Sequence, residues 1–246
     1  MQPALKKPRR CDKIVKMNEI LQNLDWSVLT DLLLSVIPAL ICITLHEFSH
    51  GYAAYLMGDD TAKRMGRLTV NPLRHIDVMG LVMLALLHFG WAKPVPVDMR
   101  NFRKPKLGMA LTALAGPLMN MVIACVAMIV YGLVFPILHG SAVGLYALKM
   151  LYITASLSVS LAIFNLLPVP PLDGSKVFFA VISDRGYDWL MRYERYGMLL
   201  LAVILMTGVI SSPLYRASEA CMEVLMNLAR LGARLTGSLV QGGAGV

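Results

Sequence analysis

Between residues 107 and 138 the chain carries no charged side chain. A helix needs about 20 consecutive apolar residues to cross the hydrocarbon core of a bilayer, and this run exceeds that. Residues 29–57 and 145–167 are also long apolar runs, with only Asp31, Glu47 and Lys149 charged, and 196–210 forms a shorter run. As a helix, 29–57 would measure roughly 43 Å at 1.5 Å per residue, enough to cross with some tilt. The composition points the same way: 57% of residues are hydrophobic and 15% charged, where a soluble domain carries about 25% charged. Together these observations exclude an ordinary soluble domain and a disordered chain. The net charge of +8 raises nucleic acid as a partner. However, the Lys and Arg residues gather in short clusters between apolar runs, where they would meet anionic headgroups. The expected partner is therefore the lipid bilayer and not nucleic acid. The cysteines at 11, 42, 125 and 221 have no CxxC spacing and call for no disulfide framework.

The pattern divides the chain into a basic N-terminal tail (1–28), a membrane domain (29–212) and an amphipathic C-terminal helix with a flexible tail (213–246). Within the membrane domain, 78–90 is apolar but short for a full crossing. A re-entrant element or a short, protein-enclosed helix suits it better. The following stretch, Trp91-Ala-Lys-Pro-Val-Pro-Val97, alternates valines with prolines and reads as an extended element or edge hairpin. Gly116-Pro117 predicts a kink in the 107–138 helix. Pro168-Val-Pro-Pro171 must break the helix that precedes it. Basic residues put the loops 91–106 and 168–195 in the cytoplasm and leave the uncharged loop 139–144 outside. The expected fold is an all-α polytopic membrane protein of about five to six membrane segments. The orientation of its N-terminus and its oligomeric state are not readable from these patterns.

Acidic residues are the informative minority. Between Asp31 and Asp59 the only carboxylate is Glu47, and between Asp98 and Asp173 there is none. An ionisable residue in or beside a membrane-length apolar segment costs several kcal/mol and marks a candidate functional site. Glu47 lies in His46-Glu47-Phe48-Ser49-His50, an HExxH. Histidines at i and i+4 share one helix face and can converge on a single Zn²⁺, with the intervening glutamate beside the metal as a base for bound water. The plain alternative is a buried His/Glu hydrogen-bond cluster with no metal. A hydrolytic zinc site also needs a third protein ligand and an open fourth position. Asp173, next to the proline-broken segment, is the candidate, because broken backbone at membrane depth lines protein or a water-filled cavity. Taken alone, Asp173 could equally be a helix N-cap at the membrane surface.

Three motifs occur in order: the HExxH at 46–50, Gly116-Pro117-x-x-Asn120, and Asn165-x-x-Pro168-x-Pro170-x-Leu172-Asp173-Gly174. Together they resemble the site-2 protease family of M50-type intramembrane zinc metalloproteases. The stretches Gly66-Arg-Leu-Thr-Val-Asn-Pro72 and Gly90-Trp-Ala-Lys-Pro-Val-Pro-Val97 are similar to its compact prokaryotic subgroup, which has no PDZ domain. The resemblance covers roughly residues 35–210. It implies one catalytic zinc ion held by His46, His50 and Asp173, with Glu47 as general base. It further implies that Asn120 and Asn165 bind substrate backbone or stabilise the oxyanion. The implied fold has a three-helix catalytic core (29–57, 107–138 and 145–174), a short re-entrant or β-type membrane-associated element, and a broken helix carrying the third ligand. Ser175 departs from the family, where a second glycine commonly follows Asp-Gly.

The function so implied is zinc-dependent endoproteolysis of transmembrane protein substrates within the bilayer. The chain would then be a multi-pass integral protein of a prokaryotic cytoplasmic membrane. The rival is a non-proteolytic membrane protein, either a metal or proton conduit or an adaptor, that reuses the same polar site. A conduit would spread polar residues along a path across the bilayer, and here they are concentrated at one level.

Overall fold

The computed structural model describes residues 26–77, 79–80, 92–181, 186, 192 and 196–243. Among them there are long helices and no strand. Helix α1 spans Trp26–Leu56, α2 is the single turn Thr61–Arg64, α3 spans Pro105–Leu138 and α4 Ala142–Asn165. These are followed by α5 (Asp173–Val181), α6 (Gly197–Thr207) and α7 (Ser211–Gly243).

Local chemistry sets several of these boundaries. Pro105 opens α3, a position where its missing N–H would have had no intrahelical partner. The Ser141 hydroxyl accepts the Gly144 N–H at 3.1 Å and caps the start of α4. Gly208, at φ 68°, takes the left-handed conformation that ends α6. Helix α3 runs through Pro117 and Pro136 as one element.

Among the described residues, three helical segments are long and apolar enough to cross a membrane: Leu34–Leu56, Pro105–Leu138 and Ala142–Asn165. Helices α6 and α7, bent by 85° at the break between them, make a fourth if they are taken as one span. The expected five to six segments included 78–90, which apart from Met79 and Gly80 lies outside the described residues. Along α3, Leu111, Leu118, Val122, Val126 and Leu133 stay exposed on the protein surface. An apolar face of that length suits lipid rather than water.

Helix α3 is the hub of the bundle and touches α1, α4, α5 and α7. Ala124, Ala127 and Met128 of α3 meet Ala155 and Val159 of α4 and Leu225 and Ala229 of α7 in one buried cluster. Small residues predominate there because helix association in lipid depends on close backbone approach. At Gly132 a Cβ would fall 2.8 Å from Ala229 Cα, so α3 and α7 meet backbone to backbone. A polar tie joins α1 to α4, where Cys42 Sγ and Ser158 Oγ lie 3.0 Å apart, both buried.

The segment 92–98 forms no helix, turn or strand and reaches Asp98 in an extended conformation; it is fastened at several points. Arg67 Nη2 donates to the carbonyls of Lys93 (2.8 Å) and Pro94 (3.2 Å). The Lys93 N–H donates to the His75 carbonyl at 2.9 Å. At the far end, the buried Asp59 carboxylate accepts the Asp98 N–H (2.7 Å), the Asn101 amide (2.8 Å) and both the N–H and hydroxyl of Thr61. Pro94 and Pro96 offer no donors, which blunts one edge of the segment against strand pairing.

Candidate metal centre

The second half of α1 carries His46 and His50 on one face, as the i, i+4 spacing requires. Both rings are buried, with centroids 4.6 Å apart and planes at 89°. Their Nε2 atoms lie 3.0 Å from each other. Asp173 Oδ2 lies 3.2 Å from His46 Nε2 and 3.1 Å from His50 Nε2. The ligand atoms of these three side chains are the one such cluster found among the described residues.

Asp173 reaches this point because α4 breaks. After Asn165 the chain passes through the proline-rich turns, with a cis bond between Pro170 and Pro171, and restarts as α5 at Asp173. Gly174 allows the close return, since a Cβ there would press on the Leu166 and Leu167 carbonyls, the latter at 2.6 Å. Ser175, where the resemblance leads one to expect glycine, is buried and donates its hydroxyl to the Leu172 carbonyl at 2.7 Å. The departure therefore supports the turn that delivers Asp173. Its carboxylate lies against both imidazoles, where it could hold a metal together with them.

Helix α3 forms the back wall. The Thr112 carbonyl lies 2.7 Å from His50 Nδ1. A carbonyl can only accept, so Nδ1 carries the proton and Nε2 presents a lone pair toward His46 and Asp173. Gly116 makes room for the rings: a Cβ there would sit 2.5 Å from His50 Cε1 and 2.6 Å from His46 Cε1. Asn120, fully buried, places its amide nitrogen 3.1 Å from His46 Nδ1, while its Oδ1 has no partner.

These donors suit zinc. Two imidazole nitrogens and a carboxylate oxygen, buried and facing one another, are acceptors that need a shared positive centre. A tetrahedral ion with bonds of ~2.0 Å sets its ligands about 3.3 Å apart, close to the separations of 3.0 to 3.2 Å seen here. A set of two histidines and one carboxylate leaves the fourth position for water, as hydrolytic zinc sites require.

Glu47 lies on the same helix, between the two histidines. Its Oε2 accepts the Val95 N–H at 2.9 Å, tying the HExxH helix to the extended segment. Asn165 closes α4 with its Nδ2 donating to the Leu161 carbonyl at 3.0 Å, and it makes no hydrogen bond to the cluster. Sequence reasoning passed over Arg67, His75 and Asp59, which anchor the segment beside Glu47. His75 is buried, with Nε2 2.8 Å from the Thr69 carbonyl. The available signal was the compact run from Gly66 to Pro72, read only as a family likeness.

Comparison with known proteins points to the same chemistry. Residues 132–209 match Peptidase family M50. YwhC of Bacillus subtilis (strain 168), named as a candidate zinc metalloprotease, is 36% identical over 199 residues, covering 78% of this chain and 89% of YwhC. Rip2 of Mycobacterium tuberculosis (strain ATCC 25618 / H37Rv), named in the same way, is 27% identical over 177 residues, covering 70% of this chain and 66% of Rip2. The zinc metalloprotease MJ0392 of Methanocaldococcus jannaschii is 23% identical over 201 residues, which make up 80% of this chain and 48% of MJ0392. The chain thus spans about half of that last relative. No solved structure is a significant match. With YwhC aligned over nearly its whole length, and apolar helices of membrane-crossing length around the HExxH, the chain is an integral membrane protein and belongs to peptidase family M50.

Proposed function

We propose that this protein is a zinc-dependent endopeptidase that hydrolyses peptide bonds in transmembrane segments of other proteins, with one zinc ion held by His46, His50 and Asp173. The observation that carries this reading is the meeting of His46 Nε2, His50 Nε2 and Asp173 Oδ2 within 3.2 Å of one another, with Glu47 on the same helix. A bound zinc ion supplies a Lewis acid that brings the pKa of water toward neutrality. The chain's own residues supply the rest. Glu47 takes the proton of the attacking water and returns it to the leaving amine. Its hydrogen bond from the Val95 N–H fixes one carboxylate oxygen and leaves the other for that proton. Asn165, half-buried at the break of α4, is the residue on the substrate side, where an amide donor can steady a developing oxyanion. Broken backbone such as the proline turns after it is tolerated at membrane depth where it lines protein or a water-filled cavity. A substrate helix must unwind locally, because its carbonyls are hydrogen-bonded and shielded until it does.

Relatives in bacteria and an archaeon support placement in a prokaryotic cytoplasmic membrane. The rival conduit or adaptor reading is disfavoured because His46, His50 and Asp173 converge on one point instead of spreading along a path, and an adaptor needs no base. Cleavage of a model transmembrane substrate in proteoliposomes, comparing wild type with Glu47→Gln, tests the proposal. Loss of a general base costs about 10²–10⁴-fold in rate, and the variant should keep its zinc. A Glu47→Gln protein that cleaves at the wild-type rate would overturn the assignment.

A further inference from the structure

We infer that Asn120 is a positioning residue for His46, whose side-chain oxygen accepts the His46 Nδ1–H and turns Nε2 toward His50 and Asp173. The inference rests on reading His46, His50 and Asp173 as the zinc site. It departs from the substrate-side role that the family resemblance implied for Asn120.

Two observations separate Asn120 from any substrate. It has no exposed surface, enclosed between α3 and α1. Its amide also lies against Nδ1, while it is Nε2 that meets His50 and Asp173. An oxyanion donor must face the open coordination position, which lies on the Nε2 side.

Hydrogen-bond accounting then fixes which end of the amide acts. With Nδ2 toward His46, 3.1 Å away, Oδ1 is buried without a partner. That orientation also requires a lone pair on Nδ1, so the ring proton would sit on Nε2, against His50 Nε2 and Asp173 Oδ2. A nitrogen that carries a proton cannot coordinate a metal. A half-turn about the amide's Cβ–Cγ bond exchanges two ends of nearly equal size. Oδ1 then accepts from Nδ1–H, the orphaned acceptor finds its donor, and Nε2 is left with a free lone pair. His50 already has this arrangement, with its Nδ1 on the Thr112 carbonyl at 2.7 Å. Helix α3 therefore supplies one oxygen acceptor behind each imidazole, Thr112 O for His50 and Asn120 Oδ1 for His46. Such outer partners set tautomer and ring orientation, and their loss weakens metal binding about 10–100-fold.

The test is zinc affinity of the full-length protein in detergent, measured by competition with a chromophoric chelator for wild type, Asn120→Leu and Asn120→Asp. Thermal unfolding of each zinc-free protein checks the fold. The inference predicts that Asn120→Leu loses about 10–100-fold in zinc affinity, and that Asn120→Asp, which keeps an acceptor, stays near wild type. If Asn120→Leu fails to fold, the Asp variant still decides: a loss of tenfold or more would mean that the amide acts as a donor. Imidazole ¹⁵N spectra of the zinc-loaded wild type give an independent readout. They should show His46 protonated at Nδ1, and a proton absent from Nδ1 would contradict the inference. Wild-type zinc affinity in Asn120→Leu with cleavage lost would return Asn120 to a substrate role while leaving the zinc site intact. A wild-type protein that binds no zinc under metal-replete conditions would overturn both the inference and the zinc site.

Discussion

Gly116→Ala is the smallest change that probes how the metal centre is built. Alanine is the better helix former by roughly 1 kcal/mol, so helix propensity alone predicts a stabilised α3. Packing predicts the opposite. The new Cβ would stand 2.5 Å from His50 Cε1 and 2.6 Å from His46 Cε1, where ordinary contact begins at 3.4 Å. Both rings must therefore retreat, by about 0.8–1.0 Å. They have little freedom to do so, because His50 is held by the Thr112 carbonyl and both rings are buried. Metal–ligand distances tolerate about 0.2 Å, and misplacing catalytic groups by about 1 Å costs roughly 10²-fold in rate. We expect zinc affinity to fall at least tenfold, cleavage to fall about a hundredfold, and the zinc-free protein to lose about 1–3 kcal/mol from overpacking. Chelator competition, substrate cleavage and thermal unfolding measure the three in turn. Gly140→Ala is the control, since nothing lies within 4 Å of a Cβ there. A Gly116→Ala protein with zinc affinity within twofold of wild type and full activity would refute the claim that α3 locks the two imidazoles.

Two further predictions concern the extended segment. Val95→Pro removes the N–H that Glu47 accepts, at a position already flanked by Pro94 and Pro96. We expect turnover to drop about tenfold or more, as for a lost hydrogen bond to a charged group, with zinc content unchanged. Val95→Ala, which keeps the N–H, should stay near wild type, and equal losses in both variants would contradict a role for the donor. At the other end of the segment, burial alone would raise the Asp59 carboxyl, but hydrogen bonds from Thr61, Asn101 and the Asp98 N–H outweigh it and hold the group below its ordinary range. A depressed carboxyl stabilises the fold above the unfolded value of about 3.9 and loses that contribution as pH falls through the lower folded value. Thermal unfolding of wild type should therefore weaken below about pH 4. Asp59→Asn should be less stable by about 1–3 kcal/mol at neutral pH and show a flatter acid limb. Parallel acid limbs in the two proteins would exclude Asp59 as the cause.

The parts of the fold and site legible in the sequence are those set by local period and chemistry. The i, i+4 histidines, the uncharged runs and the helix-breaking prolines each act within a few residues, so α1, α3, α4 and the break before Asp173 could be read directly. What could not be read depends on approaches between distant elements. Gly116 was understood as half of a kink signal, whereas its packing role appears only when α1 lies across α3. Asn120 carries the same motif whether its amide faces a substrate or the back of an imidazole, and only burial and the orphaned oxygen separate the two. Arg67, Asp59 and His75 looked like ordinary loop residues because their partners, Lys93, Pro94, Asp98 and Asn101, lie some 18–42 residues away along the chain.

The measurement closest to the central claim is zinc K-edge X-ray absorption on the purified wild-type protein, with metal content determined alongside it. The account predicts one zinc per chain and four light ligands at ~2.0–2.2 Å, two of them imidazoles, with the ion lost in Asp173→Ala. A sulfur shell at about 2.3 Å, or the same zinc content and spectrum in Asp173→Ala, would contradict it.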